Sequence, residues 1–328
     1  MPRGGPLASG HPTMPSYWEL MLLILPVFAL IAIGAGLRRA KWLNQEADES
    51  LLKMVVNFLY PCLIFDSVAG NAALRDPGNL VLAPFVGFVT MAGGIAAAYY
   101  AGRAIGLTAG KGLRTFAFAV GIYNYGYIPI PLMAGLFGQD SIGVLLVHNV
   151  GCEVAIWTVG ILVLAGVPLR QGWRKLLNPP VFALIAAVGL NLLGWGERLP
   201  GALHEVIRLS AACAIPLGLM LIGATLVEFL GRPRELYDTR VTVSSTLLRL
   251  GILPIAFLLL AKFLPCPVEL KRVIVIQAAM PAGILPIVIA RHYGGQPLTA
   301  VQVVIGTTVA GLVAIPLWLR LGLAWVGV

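Results

Sequence analysis

Apolar residues in this chain come in long unbroken blocks rather than in amphipathic stripes. Ten blocks stand out, at about 17–37, 51–69, 80–102, 113–137, 141–166, 178–196, 206–227, 241–263, 270–291 and 298–326, separated by short charged or Gly/Pro-rich turns. A helix rising about 1.5 Å per residue needs about 20 residues to cross a hydrocarbon layer of about 30 Å. The blocks therefore predict an all-α polytopic membrane protein of ten transmembrane helices. They divide into a first five-helix unit at 17–166, a loop at 167–177 and a second five-helix unit at 178–326. An odd number of crossings per unit turns the second unit over relative to the first, the inverted 5+5 repeat found in many secondary transporters.

Two blocks carry residues that do not suit a continuous helix. The fourth contains GIYNYGYIPIP at 121–131, where Pro129 and Pro131 lack amide donors, Gly126 lowers helix propensity and Asn124 brings an amide into an apolar setting. The ninth contains IQAAMPAGILPIVIAR at 276–291, interrupted by Pro281, Gly283 and Pro286. Pro131 and Pro286 stand 155 positions apart, and so do Pro61 and Pro216. That shared offset suggests an internal duplication, with coincidence among 23 prolines as the competing account. Irregular backbone at membrane depth is tolerated only where protein or a watery cavity satisfies its polar groups. Interrupted helices at matching places in two halves therefore point to a binding site.

Composition narrows the class. The chain is 59% hydrophobic and 11% charged, against about 25% charged for soluble domains. Its net charge of +9 comes without a basic run on a soluble fold, so no nucleic-acid partner is expected. Instead the basic residues gather in alternate loops. Arg38, Arg39, Lys41, Lys53, Arg103, Lys111, Arg114, Arg170, Arg174, Lys175, Arg232, Arg234, Arg240 and Arg291 fall on one face, which the positive-inside rule makes cytoplasmic. Both termini then lie outside, in what is expected to be a bacterial inner membrane. The bias is incomplete, because Lys262, Lys271 and Arg272 fall on the other face. The tail at 1–16 reads as disordered, with Met14 as an alternative start, and lacks the pattern of a secretory signal. Cys62, Cys152, Cys213 and Cys266 are scattered without metal-ligand spacing and read as small apolar residues, so no metal or cofactor is expected.

Several stretches resemble the auxin efflux carrier family of permeases, within the wider bile-acid, arsenite and riboflavin transporter superfamily. NFLYPCLIFDSV (57–68) is similar to its second helix, NYGYIPIPL (124–132) to its fourth, and NPPVFALIAAVGLNLLG (178–194) with AIPLGLMLIGATL (214–226) to its sixth and seventh. QAAMPAGILPIVIARHYG (277–294) resembles the ninth and is the most specific match. Pro129 departs from the pattern, which has Gly there, and no long central loop follows the fifth block. The resemblance implies that broken helices 4 and 9 cross at the membrane midplane, that a transport unit moves against a scaffold, and that the protein forms a homodimer.

The N-terminus of a half-helix carries free N–H groups and about +0.5 charge, which favours anions. The expected substrate is a small organic anion such as a carboxylate, held by Asn124, Gly126, Pro129 and Pro131 in the fourth helix and by Gln277, Pro281, Gly283 and Pro286 in the ninth. Tyr123, Tyr125 and Tyr127 either shape that pocket or face lipid. Glu153 and His148 in the fifth block are candidates for carrying a coupling proton, because ionisable groups at membrane depth are expensive and usually functional. Glu153 has two readings of equal standing, a proton carrier or a structural partner of Arg249. Asp66 reads as a solvated helix end or a site residue. A sodium-coupled symporter of the bile-acid type is the alternative. A channel fits the paired breaks less well, and an enzyme is disfavoured by the absence of catalytic motifs.

Overall fold

The computed structural model describes residues 14–166, 173–230 and 238–328. Most of the expected tail, and the loop positions Arg170, Arg232 and Arg234, lie outside the described residues. Among the described residues, seven helices are long and apolar enough to cross a membrane: α1 (Tyr17–Arg39), α2 (Gln45–Val68), α3 (Pro77–Ala104), α6 (Ser141–Ala165), α8 (Gly201–Phe229), α9 (Thr239–Phe263) and α12 (Pro297–Val326). The sixth block forms α7 (Pro179–Leu192), apolar but only 14 residues long. The fourth and ninth blocks are each two half-helices, α4 (Leu113–Gly121) with α5 (Pro129–Phe137), and α10 (Val268–Ala278) with α11 (Leu285–His292).

Local chemistry sets the helix ends. Ser16 and Glu19 form a capping box at the start of α1, and Arg38 and Arg39 occupy its last turn, where cations favour the helix dipole. Asn44, Asp76, Asn178 and Asp238 accept hydrogen bonds from the first turns of α2, α3, α7 and α9. Proline inside a span leaves a carbonyl one turn back without its donor. In α9 a π turn at Leu248–Ile252 precedes Pro254, and the Leu250 carbonyl instead accepts from Trp318 Nε1 at 2.5 Å.

Small residues draw the helices together in two groups. In the first, α1 and α8 meet at Gly34 and Gly223, where an added Cβ would lie 1.9 Å from the Met220 carbonyl oxygen and 1.8 Å from that of Ile31. Helices α2 and α7 complete this group. In the second, α3 and α6 meet at Gly87 and Gly151. There α9, α10 and α12 pack together, with α4 against α3 and α12, and α11 against α12. Large apolar side chains such as Trp18, Leu22, Phe85 and Val313 are exposed on the outside, as a lipid-facing surface requires.

Candidate functional site

The two breaks meet and satisfy each other. The segment between α4 and α5 runs antiparallel to the one between α10 and α11, bridging at Tyr123 and Ala282. Asn124 N donates to the Pro281 carbonyl and Gly283 N to that of Ile122, both at 2.8 Å. A Cβ at Gly283 would sit 3.2 Å from the Tyr123 carbonyl oxygen, so the approach favours glycine. Gln277 Nε2 adds bonds to the Tyr125 carbonyl (3.1 Å) and to Asn149 Oδ1 (3.4 Å). Thr307 Oγ1 accepts from Ala282 N. The backbone freed by the prolines is thus held by protein rather than by lipid.

A cavity of about 380 Å³ opens beside this junction. Its walls come from α2 between Asp48 and Ile64, the inner stretches of α6 and α8, the start of α7, the loop 122–127 and the start of α11. At the α11 end, the Ile284 and Leu285 amides donate to no other group among the described residues. The loop amides of Tyr125, Gly126 and Tyr127 are likewise without acceptors there. Asn149, 5% exposed, lines the cavity with an unpartnered Nδ2. Asn124 uses Oδ1 to accept from Ile128 N at 3.3 Å, which leaves its Nδ2 as a donor. Two carboxylates line the wall. Asp48 pairs with Arg38, whereas Glu153 has no cationic partner among the described residues and accepts from Tyr125 Oη and, at 2.9 Å, from Trp157 Nε1. No Lys, Arg or His of the described residues lines the cavity.

Of the residues singled out in the sequence, Asn124, Gly126, Gly283 and Glu153 line this cavity, while Pro129, Pro131, Gln277, Pro281 and Pro286 lie behind it, shaping the backbone. His148 is buried at 3.4 Å from Asn149 Oδ1 and does not reach the wall. Tyr123, Tyr125 and Tyr127 all line the cavity rather than facing lipid. Two expectations are corrected. Half-helix α5 has no free amide in its first turn, because Pro129 and Pro131 have none, Ile128 N is capped by Asn124 and Ile130 N bonds the Gly126 carbonyl at 3.1 Å. Glu153 and Arg249 do not pair. Arg249, fully buried, bonds the carbonyls of Met280 (2.8 Å) and Gln277 (3.1 Å). The free Ile284 and Leu285 amides at the cavity wall escaped sequence reasoning, since apolar side chains give no sign of them. Asn149 was visible only as a polar residue four positions before Glu153, on the same helix face.

A second cavity, of about 820 Å³, lies at the opposite ends of α2 and α8, with Asp66, Gln139, His204 and Arg208 in its wall. Positions 155 apart divide between the two cavities. Leu52, Val56 and Tyr60 line the first while Ile207, Ala211 and Ile215 line the second. Conversely Gly218, Leu221 and Thr225 line the first while Leu63, Asp66 and Gly70 line the second. Between the cavities Tyr127 packs against Tyr60, ring centroids 6.3 Å apart, and lies flat on Gly218, where a Cβ would be 2.0 Å from its Cε1.

Comparison with known proteins finds relatives among membrane transporters. A family described as "Membrane transport protein" matches residues 20–171 and 166–319. An uncharacterized transporter of Methanothermobacter thermautotrophicus is 29% identical over 301 residues, covering 90% of this chain and 96% of the relative. Another from Methanocaldococcus jannaschii is 20% identical over 306 residues, covering 91% and 97%. Auxin efflux carrier component 8 of Arabidopsis thaliana is 27% identical over 150 residues, 43% of this chain and 39% of the relative.

Proposed function

This chain belongs to the membrane transport protein family, and from that premise we propose that it is a secondary transporter carrying a small organic anion, such as a carboxylate, by alternating access. The observation that carries the reading is the α11 end, where the unpartnered Ile284 and Leu285 amides border the same cavity as the Asn124 and Asn149 side-chain donors. Oriented N–H groups at a helix N-terminus bind anions without a fixed cation, and a volume of about 380 Å³ suits a small solute.

In this reading the chain crosses the membrane ten times, counting α7 and the two broken helices as passes, and its halves are inverted repeats. The partition of positions 155 apart between two cavities at opposite ends of α2 and α8 supports it. One cavity is the vestibule now open and the other marks where the path opens after the second group of helices moves past the first. Asp48 and Asn178 put the first cavity near the ends that carry Arg38, Arg39, Lys41 and Lys175, so it faces the cytoplasm and both termini lie outside. Glu153 carries a proton in with the anion, which removes the repulsion between two negative charges in one apolar cavity. The homodimer belongs to the same reading on family grounds alone.

Thermal-shift measurements on purified protein against small carboxylates test the proposal. A ligand at 100 times its Kd stabilises by about 2.7 kcal/mol. One carboxylate should raise the melting temperature, and its amide analogue should not. In proteoliposomes, uptake of that carboxylate should rise as the donor side is acidified, and Glu153→Gln should abolish the pH dependence. Response to amines or neutral solutes alone would overturn the anion assignment.

A further inference from the structure

Among the described residues, Arg249 is the one charge that neither the cavity nor the surface explains. It is 0% exposed and sits in the π turn of α9. Among the described residues no carboxylate comes within ion-pair distance of it. Its partners are main-chain oxygens at the C-terminal end of α10, Nε on the Met280 carbonyl and Nη2 on that of Gln277. The guanidinium also lies 4.9 Å from the Tyr123 ring centroid and 5.2 Å from that of Phe257. Tyr123 in turn lines the cavity. Nη1 has no partner, and Gln277 Oε1 is a further buried acceptor left unused.

The C-terminal end of a half-helix carries about −0.5 charge and carbonyls without donors. At membrane depth such an end requires a cation, and in transporters built on broken helices a dissociable Na⁺ or H⁺ commonly meets that need. Here the side chain of α9 occupies the position. We propose that Arg249 is a tethered cation which takes the place of a dissociable coupling cation at the α10 end, holding the second break open so that transport needs no Na⁺. Arginine suits the task because it stays charged, presents several donors in a fixed plane and stacks on aromatic faces. The aromatic walls of Tyr123 and Phe257 exclude water and fix the plane of the guanidinium. Arg249 is therefore a positioning residue. It touches no substrate, and acts by fixing the backbone that leads into the Ile284 and Leu285 amides.

The test uses full-length purified protein and needs no knowledge of the transported solute, so its failure and that of the anion reading are separable. Melting temperatures are measured in NaCl, in choline chloride and in millimolar guanidinium chloride, at one ionic strength. The wild type should melt alike in all three. Arg249→Ala should melt several degrees lower in choline, and recover most of the loss in guanidinium or Na⁺, because a free cation can then enter the vacated position. Arg249→Lys should keep most of the wild-type stability and stay indifferent to Na⁺. If Arg249→Ala cannot be purified folded, Arg249→Gln takes its place, with folded yield in guanidinium against choline as the readout. A wild type selectively stabilised by Na⁺ would overturn the proposal, since a dissociable site would then remain. A loss in the neutral variants that no small cation repairs better than choline would also overturn it, by reducing Arg249 to packing.

Discussion

The two interrupted segments, whose Pro131 and Pro286 stand 155 positions apart, solve the same problem in different ways. In the first, the start of α5 is closed: Pro129 and Pro131 delete two amides, and Asn124 and Gly126 occupy two more. Its cavity-facing groups come from the loop, as three tyrosines, the Asn124 side chain and the free amides of Tyr125, Gly126 and Tyr127. In the second, the start of α11 is open, with Ile284 and Leu285 amides free, while the end of α10 is closed by Arg249 from another helix. One break thus contributes side chains together with loop amides, and the other helix-end amides and a borrowed charge. Prolines and glycines in each segment fix where a helix is interrupted, and the neighbours packed on it decide what the interruption can do.

That contrast can be broken at the contact that ties the first break to α8. Gly218→Ala puts a methyl group 2.0 Å from Tyr127 Cε1, and overpacking of this kind costs about 1–3 kcal/mol. Uptake into proteoliposomes should fall to background while binding to purified protein, by calorimetry, persists. Retained uptake would mean that Tyr127 does not have to slide past α8. The next effect is smaller and acts on affinity. Asn124→Ala removes both the cap on Ile128 N and one donor to the anion. A hydrogen bond to a charged group contributes about 1.5–3 kcal/mol, so Kd should rise by about ten- to a hundredfold. An unchanged Kd would move the anion wholly onto the α11 end. The smallest effect sharpens the asymmetry itself. Pro129→Ala restores an amide to the first turn of α5, where proline is not needed for helix formation. Affinity should rise by no more than about tenfold, the equivalent of one ordinary hydrogen bond of about 0.5–1.5 kcal/mol. Stability should fall by less than about 1 kcal/mol. A Kd that does not move would place that turn away from the ligand.

Much of the fold was legible because its causes are local. Long apolar blocks and prolines without amides act through a few neighbouring residues, so spans and breaks could be read directly. The sixth block was read too long, since 193–196 are apolar enough to extend the pattern but the helix closes at Leu192 before Gly194, which adopts φ +68°. The site was only partly legible. Asn124, Gly126, Gly283 and Glu153 declared themselves as polar or small residues in apolar blocks. Arg249 did so as well; of the two readings held for Glu153, its pairing with Arg249 does not form, because carbonyls at the end of α10 take the guanidinium.

The sequence by itself therefore determined an all-helical membrane chain, interrupted twice at corresponding positions, because hydropathy and proline geometry operate along the backbone. The tertiary structure alone decided which amides stay free, that Glu153 turns to Tyr125 and Trp157, and that Arg249 closes α10. Those outcomes depend on hydrogen bonds between groups up to 161 positions apart, such as that from Gly283 N to the Ile122 carbonyl, which no local pattern encodes.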